Sequence, residues 1–245
     1  MSRSMRMIWK AIADARAHAL KRSLAVGLAV MVLQACGGGG TTVIDPTKQS
    51  NSSGWNWGQF LPPNFPTPVV PSSNPMSEAK FQLGRHLFYD KRLSGGGQIA
   101  CASCHLQSLA FTDGKAVSIG AAGEATLRNA PSIANVAFST SLTWANPTLT
   151  TLEKQMETPL FGTHPVEMGV NDGNRATILQ RFRSAADVDY PALFAAAFPS
   201  EVEPTSFENI IRAIAAFQRG VLTGQSRYER YLKGQATLSS AELRG

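Results

Sequence analysis

Cys101-Ala102-Ser103-Cys104-His105 is the stretch on which the reading of this chain turns. It is a C-x-x-C-H, the pattern of covalent c-type haem attachment. The chemistry dictates the spacing. Each thiol adds across one haem vinyl group to form a thioether. The histidine beside the second cysteine turns under the ring, so that an imidazole nitrogen binds the iron from the proximal side. Iron held this way carries electrons or binds peroxide, and the opposite face decides which. Two other readings of the cysteines are weaker. Structural zinc takes four Cys/His ligands, and the chain has three cysteines, one of them Cys36. A redox pair or a disulfide does not require the adjacent histidine.

The chain has 245 residues, room for one large domain or two small ones. Its net charge of +6 is concentrated at the N-terminus. Residues 1–35 hold six basic residues (Arg3, Arg6, Lys10, Arg16, Lys21, Arg22) and one acid, Asp14; the remainder has 17 basic and 16 acidic residues. A nearly neutral remainder gives no reason to expect a nucleic-acid partner. Residues 1–35 read as an export signal. The apolar run from Leu24 to Leu33 is too short to span a membrane, and Leu33-Gln34-Ala35-Cys36 resembles a bacterial lipobox. The expectation is a lipoprotein signal peptide with Cys36 acylated. The mature protein would then be periplasmic, held by a lipid anchor, on the outer membrane in the simplest case. Export agrees with c-type haem, which bacteria attach outside the cytoplasm.

Residues 36–75, rich in Gly, Thr, Ser, Asn and Pro, read as a flexible tether. Trp55, Trp57 and Phe60 are exceptions suited to docking on the globular part. Ser77 is placed to cap a helix through Phe88, with Phe81, Gly84 and Phe88 on one face, Leu83 and Leu87 on an adjoining one, and His86 on the polar side. A helix from Leu149 should stop at Pro159. Asn171 or Asp172 is placed to cap the next helix, and Pro191–Phe198 forms another. Thr205-Ser206-Phe207-Glu208 has capping-box spacing and opens the best-patterned helix, with Phe207, Ile210, Ile211, Ile214 and Phe217 on one face. No convincing strand appears. The predicted fold is mainly α: a cytochrome c-like helical haem domain with long loops over 76–200, and a helical segment, 201–245, that begins a second haem domain.

Several stretches, in order, resemble the bacterial di-haem cytochrome c peroxidase and MauG family: Leu83-Gly84-Arg85-His86-Leu87-Phe88-Tyr89-Asp90, Leu93-Ser94, the C-x-x-C-H, Phe111-Thr112-Asp113-Gly114, Arg128-Asn129-Ala130-Pro131-Ser132, Leu152-Glu153-Lys154-Gln155 and Pro165-Val166-Glu167-Met168-Gly169. The resemblance covers about residues 76–245. It implies a c-haem oxidoreductase that uses hydrogen peroxide to form high-valent iron and oxidises a partner. It also implies two haems, an intervening tryptophan matched by Trp144, and calcium bound in part by Asn129. Gln155, Pro159 and Glu167 match the distal pocket of the peroxide-reactive haem. Cleaving the O–O bond needs a proton moved from one peroxide oxygen to the other, a task for a distal carboxylate, here Glu167. Desolvation should raise its pKa. Gln155 would hydrogen-bond the oxygens or a pocket water, and Pro159 would restrict access.

Three departures from the family pattern carry information. Ser118-Ile119-Gly120 is followed by Ala121 where many members place a histidine that ligates the resting iron, so the iron should be open, as in MauG. Pro159 and Glu167 are separated by about two more residues than usual, and Trp144-Ala145-Asn146-Pro147 replaces a Trp-Asp-Gly-Arg. Both features resemble the MbnH branch, which oxidises a tryptophan on a partner protein, and they make His164 a further pocket-edge candidate. The chain ends at Gly245, short of the position where the family's second C-x-x-C-H is expected. The alternatives are a peroxide-scavenging enzyme fed by a small electron donor, a single-haem electron carrier, or an inactive remnant. For the remnant, an exposed apolar face on the Phe207–Phe217 helix is expected.

Overall fold

Helices α1 (Glu78–Tyr89) and α5 (Phe207–Gly220) cross at a glycine, and the rest of the fold is arranged around that crossing. A Cβ on Gly84 would lie 1.9 Å from the Ala213 carbonyl oxygen, so only glycine lets the two backbones approach this closely. The computed structural model describes residues 55–63, 65–144 and 146–245. Among them are four further helices: α2 (Leu152–Phe161), α3 (Arg175–Arg183), α4 (Tyr190–Ala197) and α6 (Arg227–Leu232). There is no strand among the described residues, only two isolated bridges, Leu106 with Thr112 and Ile119 with Ala125. The mainly α expectation with long loops is therefore correct. No described helix is long and apolar enough to cross a membrane. The expected signal peptide and Cys36 lie outside the described residues.

Local sequence accounts for the helices. The Ser77 side chain accepts from the Lys80 N–H and starts α1, which buries Leu83, Leu87 and Phe88. Ser206 does the same for α5 through Asn209, one residue later than the expected box at Thr205. Glu208 instead pairs with Arg212 along the helix. The apolar face of α5, expected to lie exposed, is buried: Phe207, Ile210, Ile214 and Phe217 pack in the main core with Leu83, Leu87 and Phe88. A boundary at 200/201 consequently does not divide the packing, because α5 is central to it.

Two expected helix ends move. α2 runs past Pro159 to Phe161. In the last turn the proline withdraws a donor from one carbonyl only, that of Gln155, and the Gly162 N–H closes the end on the Thr158 carbonyl at 2.9 Å. α3 begins at Arg175 after Asn174 rather than after Asn171 or Asp172. The Asn171 side chain is spent in a turn, accepting from the Gly173 N–H, while the Asn174 amide donates to the Gly169 carbonyl.

Part of the flexible tether expected over 36–75 packs on the helical body through Trp55, Phe60 and Asn74. Trp55 is buried, stacks on Phe60 at 4.2 Å and meets Phe81 at 5.3 Å. Asn74 is also buried and donates to the Glu153 carboxylate (2.7 Å) and the Arg212 carbonyl (2.9 Å). Large rings bury enough apolar area to offset the ordering entropy that a Gly/Ser-rich stretch cannot.

Candidate functional site

The C-x-x-C-H lies on a single tight turn. A 3-10 turn spans Cys101–Ser103, and the N–H groups of Cys104 and His105 both point to the Cys101 carbonyl, at 3.2 and 3.0 Å. The approach to it is pinned. Arg92 pairs with Asp90 and Asp187, the Tyr190 hydroxyl donates to Asp90 at 2.5 Å, and the Arg181 guanidinium donates to the carbonyls of Ser94 and Gly95. The Gly95 N–H then donates to the Met168 carbonyl at 2.8 Å. The turn leading into the cysteines is thus tied to the residue after Glu167.

His105 is oriented through its own backbone neighbourhood. Its Nδ1 lies 2.8 Å from the Phe111 carbonyl oxygen. A carbonyl only accepts, so Nδ1 carries the hydrogen and Nε2 presents a free lone pair. Ala110 and Phe111 adopt left-handed backbone, φ 54° and 62°, which brings that carbonyl round to the ring. Burial pushes the imidazole below its ordinary pKa, with the carbonyls of Phe111 and Pro131 acting in the opposite sense; the neutral form is the one that ligates a metal. Burial raises the Cys104 thiol and pushes Cys101 up to about 12. A redox C-x-x-C is favoured by a lowered thiol pKa, and burial acts in the opposite sense here.

The other wall comes from the end of α2. The chain leaves at Phe161, loops out and returns, the Met168 N–H donating to the Pro159 carbonyl and the Val170 N–H to that of Leu160, at 2.9 and 3.1 Å. The loop so pinched carries His164 and Glu167. Ala121 has its own part here: its N–H donates to the Glu167 carbonyl at 2.7 Å, and a Cβ on Gly120 would lie 1.9 Å from the Val166 oxygen. Burial raises the Glu167 carboxyl above its usual range.

These pieces enclose a cavity of about 740 Å³, within the roughly 300–1,000 Å³ typical of cofactor sites. Cys101, Cys104, His105, Asn129, Trp144, Gln155, Pro159, His164 and Glu167 all line it. Trp144 stands at the mouth, 60% exposed, its indole N–H donating to the Asn129 carbonyl at 3.3 Å. One buried polar lining residue, Gln218 of α5, was not singled out from the sequence; it is 5% exposed and its Oε1 has no hydrogen-bond partner. The only sequence signal for Gln218 is a polar residue directly after the apolar face of its helix.

The residues fit haem c. Two thiols and a free imidazole nitrogen open onto one cavity of the right size, with the buried Gln218 Oε1 left for a cavity occupant to satisfy. Calcium is a different case. It takes six to eight oxygens, and no group of three or more His, Cys, Asp or Glu among the described residues could hold a metal ion.

The comparisons agree with this geometry. Residues 78–237 match the model of the di-haem cytochrome c peroxidase family. The methylamine utilization protein MauG of Methylorubrum extorquens is 30% identical over 212 residues, covering 85% of this chain and 56% of MauG. The cytochrome-c peroxidase IdrP1 of Denitromonas iodatirespirans is 37% identical, covering 74% and 47%. Among solved structures, a MauG-like protein associated with microbial copper homeostasis superposes with TM-score 0.73 at 61% identity, over 78% of this chain and 53% of that one. The diheme peroxidase BthA from Burkholderia thailandensis, TM-score 0.56 at 24% identity, speaks to the fold alone. The fold and cavity define a c-type haem protein. The chain belongs to the di-haem cytochrome c peroxidase and MauG family, and it spans about half the length of the relatives it matches.

Proposed function

We propose that this chain forms the peroxide-reactive half of a MauG-like oxidoreductase acting on a partner protein outside the cytoplasm. One observation carries the reading: the haem-attachment residues and the acid–amide–proline set of Glu167, Gln155 and Pro159 line the same cavity. When bound through Cys101, Cys104 and His105, haem supplies the iron at which the peroxide O–O bond is broken and two oxidising equivalents are held. The protein side chains do the rest. Glu167 takes a proton from one peroxide oxygen and returns it to the other. Its raised pKa, caused by burial, moves it toward the range where it works as both base and acid. The Gln155 amide orients the peroxide, and Pro159 limits the room around it. Electrons from the protein to be oxidised reach the site through the family's second haem and Trp144, which is exposed at the mouth. Cys36 would be the lipid anchor, holding the enzyme in the periplasm on the outer membrane.

The 61% identity to a MauG-like structure supports the MauG-like reading. The likeness to IdrP1 supports a second reading, peroxide removal fed by a small electron donor; fast turnover with reduced cytochrome c would favour it. The test of the open cavity is low-temperature EPR of the oxidised protein expressed with haem in a bacterial periplasm. Because Ala121 cannot ligate, a high-spin ferric signal is expected. A purely low-spin spectrum would overturn the assignment and favour an electron carrier.

A further inference from the structure

A run of aromatic rings leads from His105, by way of Phe88 in the cavity wall, to the surface. The Phe88 ring, fully buried, lies 6.3 Å from the His105 ring and 5.3 Å from that of Tyr89, centroid to centroid. Tyr89 is 44% exposed, and its hydroxyl donates to the Gln107 side-chain Oε1 at 3.4 Å. Phenylalanine is too hard to oxidise to hold a charge. It fills the gap, so Tyr89 is the first oxidisable side chain along this path.

A second cavity, about 760 Å³ and widely open, lies beside it. Tyr89, Arg85, Lys91 and Gln107 line it, together with Phe111, whose carbonyl holds His105. Arg85 and Lys91 are exposed and pair with no carboxylate among the described residues, whereas Arg92 is occupied by Asp90 and Asp187.

We propose that Tyr89 is a second redox port of the haem site, serving a small anionic one-electron reductant that enters this cavity. The proposal rests on the peroxide chemistry above. In each transfer the Tyr89 phenol would lose one electron, by way of Phe88, to the oxidised haem site that His105 would hold, and one proton, to water at the exposed hydroxyl. The resulting phenoxyl radical is reduced by one electron and one proton from the reductant. Two such transfers, with two protons, balance the conversion of one hydrogen peroxide to two waters. The port would discharge the site when no protein partner is bound.

The test uses the haem-loaded chain, labelled with ring-deuterated tyrosine, mixed with peroxide without a partner and freeze-quenched for EPR. A tyrosyl radical narrowed by the label, and absent from Tyr89→Phe, is expected. Tyr89→Phe should also slow re-reduction by ascorbate, the probe reductant, while leaving the first peroxide-induced Soret change intact. The change removes one long exposed hydrogen bond, so the variant should fold; its circular dichroism confirms that. A Soret change with a radical confined to Trp144 or Trp55, or unaltered by Tyr89→Phe, would overturn the port and leave the peroxide reading standing. A Soret band indifferent to peroxide would overturn both.

Discussion

Burial holds Glu167 protonated further up the pH scale than an exposed glutamate. Proton transfer uses this, and stability is coupled to it. A carboxyl whose folded pKa is raised contributes stability that is complete below the ordinary glutamate value and is lost as pH rises through the folded one. The melting temperature of the wild type should fall across that window relative to Glu167→Gln, which has no proton to lose. In the haem-loaded enzyme the same substitution should slow peroxide cleavage about 10²–10⁴-fold, the usual contribution of a positioned acid–base group. An unchanged stopped-flow rate would remove Glu167 from the mechanism. The second residue-scale prediction concerns the turn that orients His105. Ala110 has φ 54°, a conformation costing a side-chain-bearing residue about 1–2 kcal/mol. Ala110→Gly releases that strain but gives the unfolded chain more freedom, about 0.4–1 kcal/mol. A net stabilisation of up to about 1 kcal/mol is expected by denaturant titration, with the His105–Phe111 bond retained.

At the scale of elements, the α1–α5 crossing is the least forgiving contact. Gly84→Ala places a methyl against the Ala213 carbonyl and Phe217 Cβ, so the helices must separate. The cost should be at least about 3 kcal/mol, the upper part of the range for overpacking, read as a lower denaturation midpoint. Gly84 was legible in the sequence as a position on the apolar face of a helix. That it lay against a backbone carbonyl was not, because the partner helix is over 120 residues away in the chain. Pro159 teaches the converse. A proline stops a helix when the turn before it must continue regularly, yet here only one carbonyl is deprived and the returning Met168 N–H uses the proline's own carbonyl. The caps at Ser77 and Ser206 were legible to within a residue because a cap is a local hydrogen bond.

Across the whole molecule, one ion pair joins the segment before α1, α2 and α5. Arg219 is buried and donates to Glu153 at 2.6 Å; Glu153 also accepts from Asn74. Burial opposes ionisation of Glu153, but Arg219 and Asn74 outweigh it and hold its pKa below the usual range. Its stabilisation is therefore complete above the ordinary glutamate pKa and is lost as pH falls through the lower folded value, the opposite sense to Glu167. Arg219→Met strands a carboxylate and should cost about 3 kcal/mol at neutral pH, the lower end for a broken buried pair because Glu153 keeps some exposure. The loss should shrink in acid as Glu153 protonates; a loss independent of pH would show that packing alone was removed.

What the sequence determined by itself is what short-range chemistry determines. The C-x-x-C-H spacing is set by thioether and imidazole geometry within five residues, helix periodicity by 3.6-residue repeats, and caps by bonds spanning three. The order of the family motifs picked out Gln155, Pro159 and Glu167 one by one. Only tertiary structure decided that those residues share one cavity, that the Phe111 carbonyl selects the His105 tautomer, that Ala121 holds the Glu167 backbone, and that Gln218 faces inward. Tertiary structure also decided that Trp55 and Phe60 are core rather than tether, and that α5 belongs to this core and is not left for another domain. Each of these depends on which distant segments pack together, and burial summed over the whole chain settles that, with no single stretch recording it.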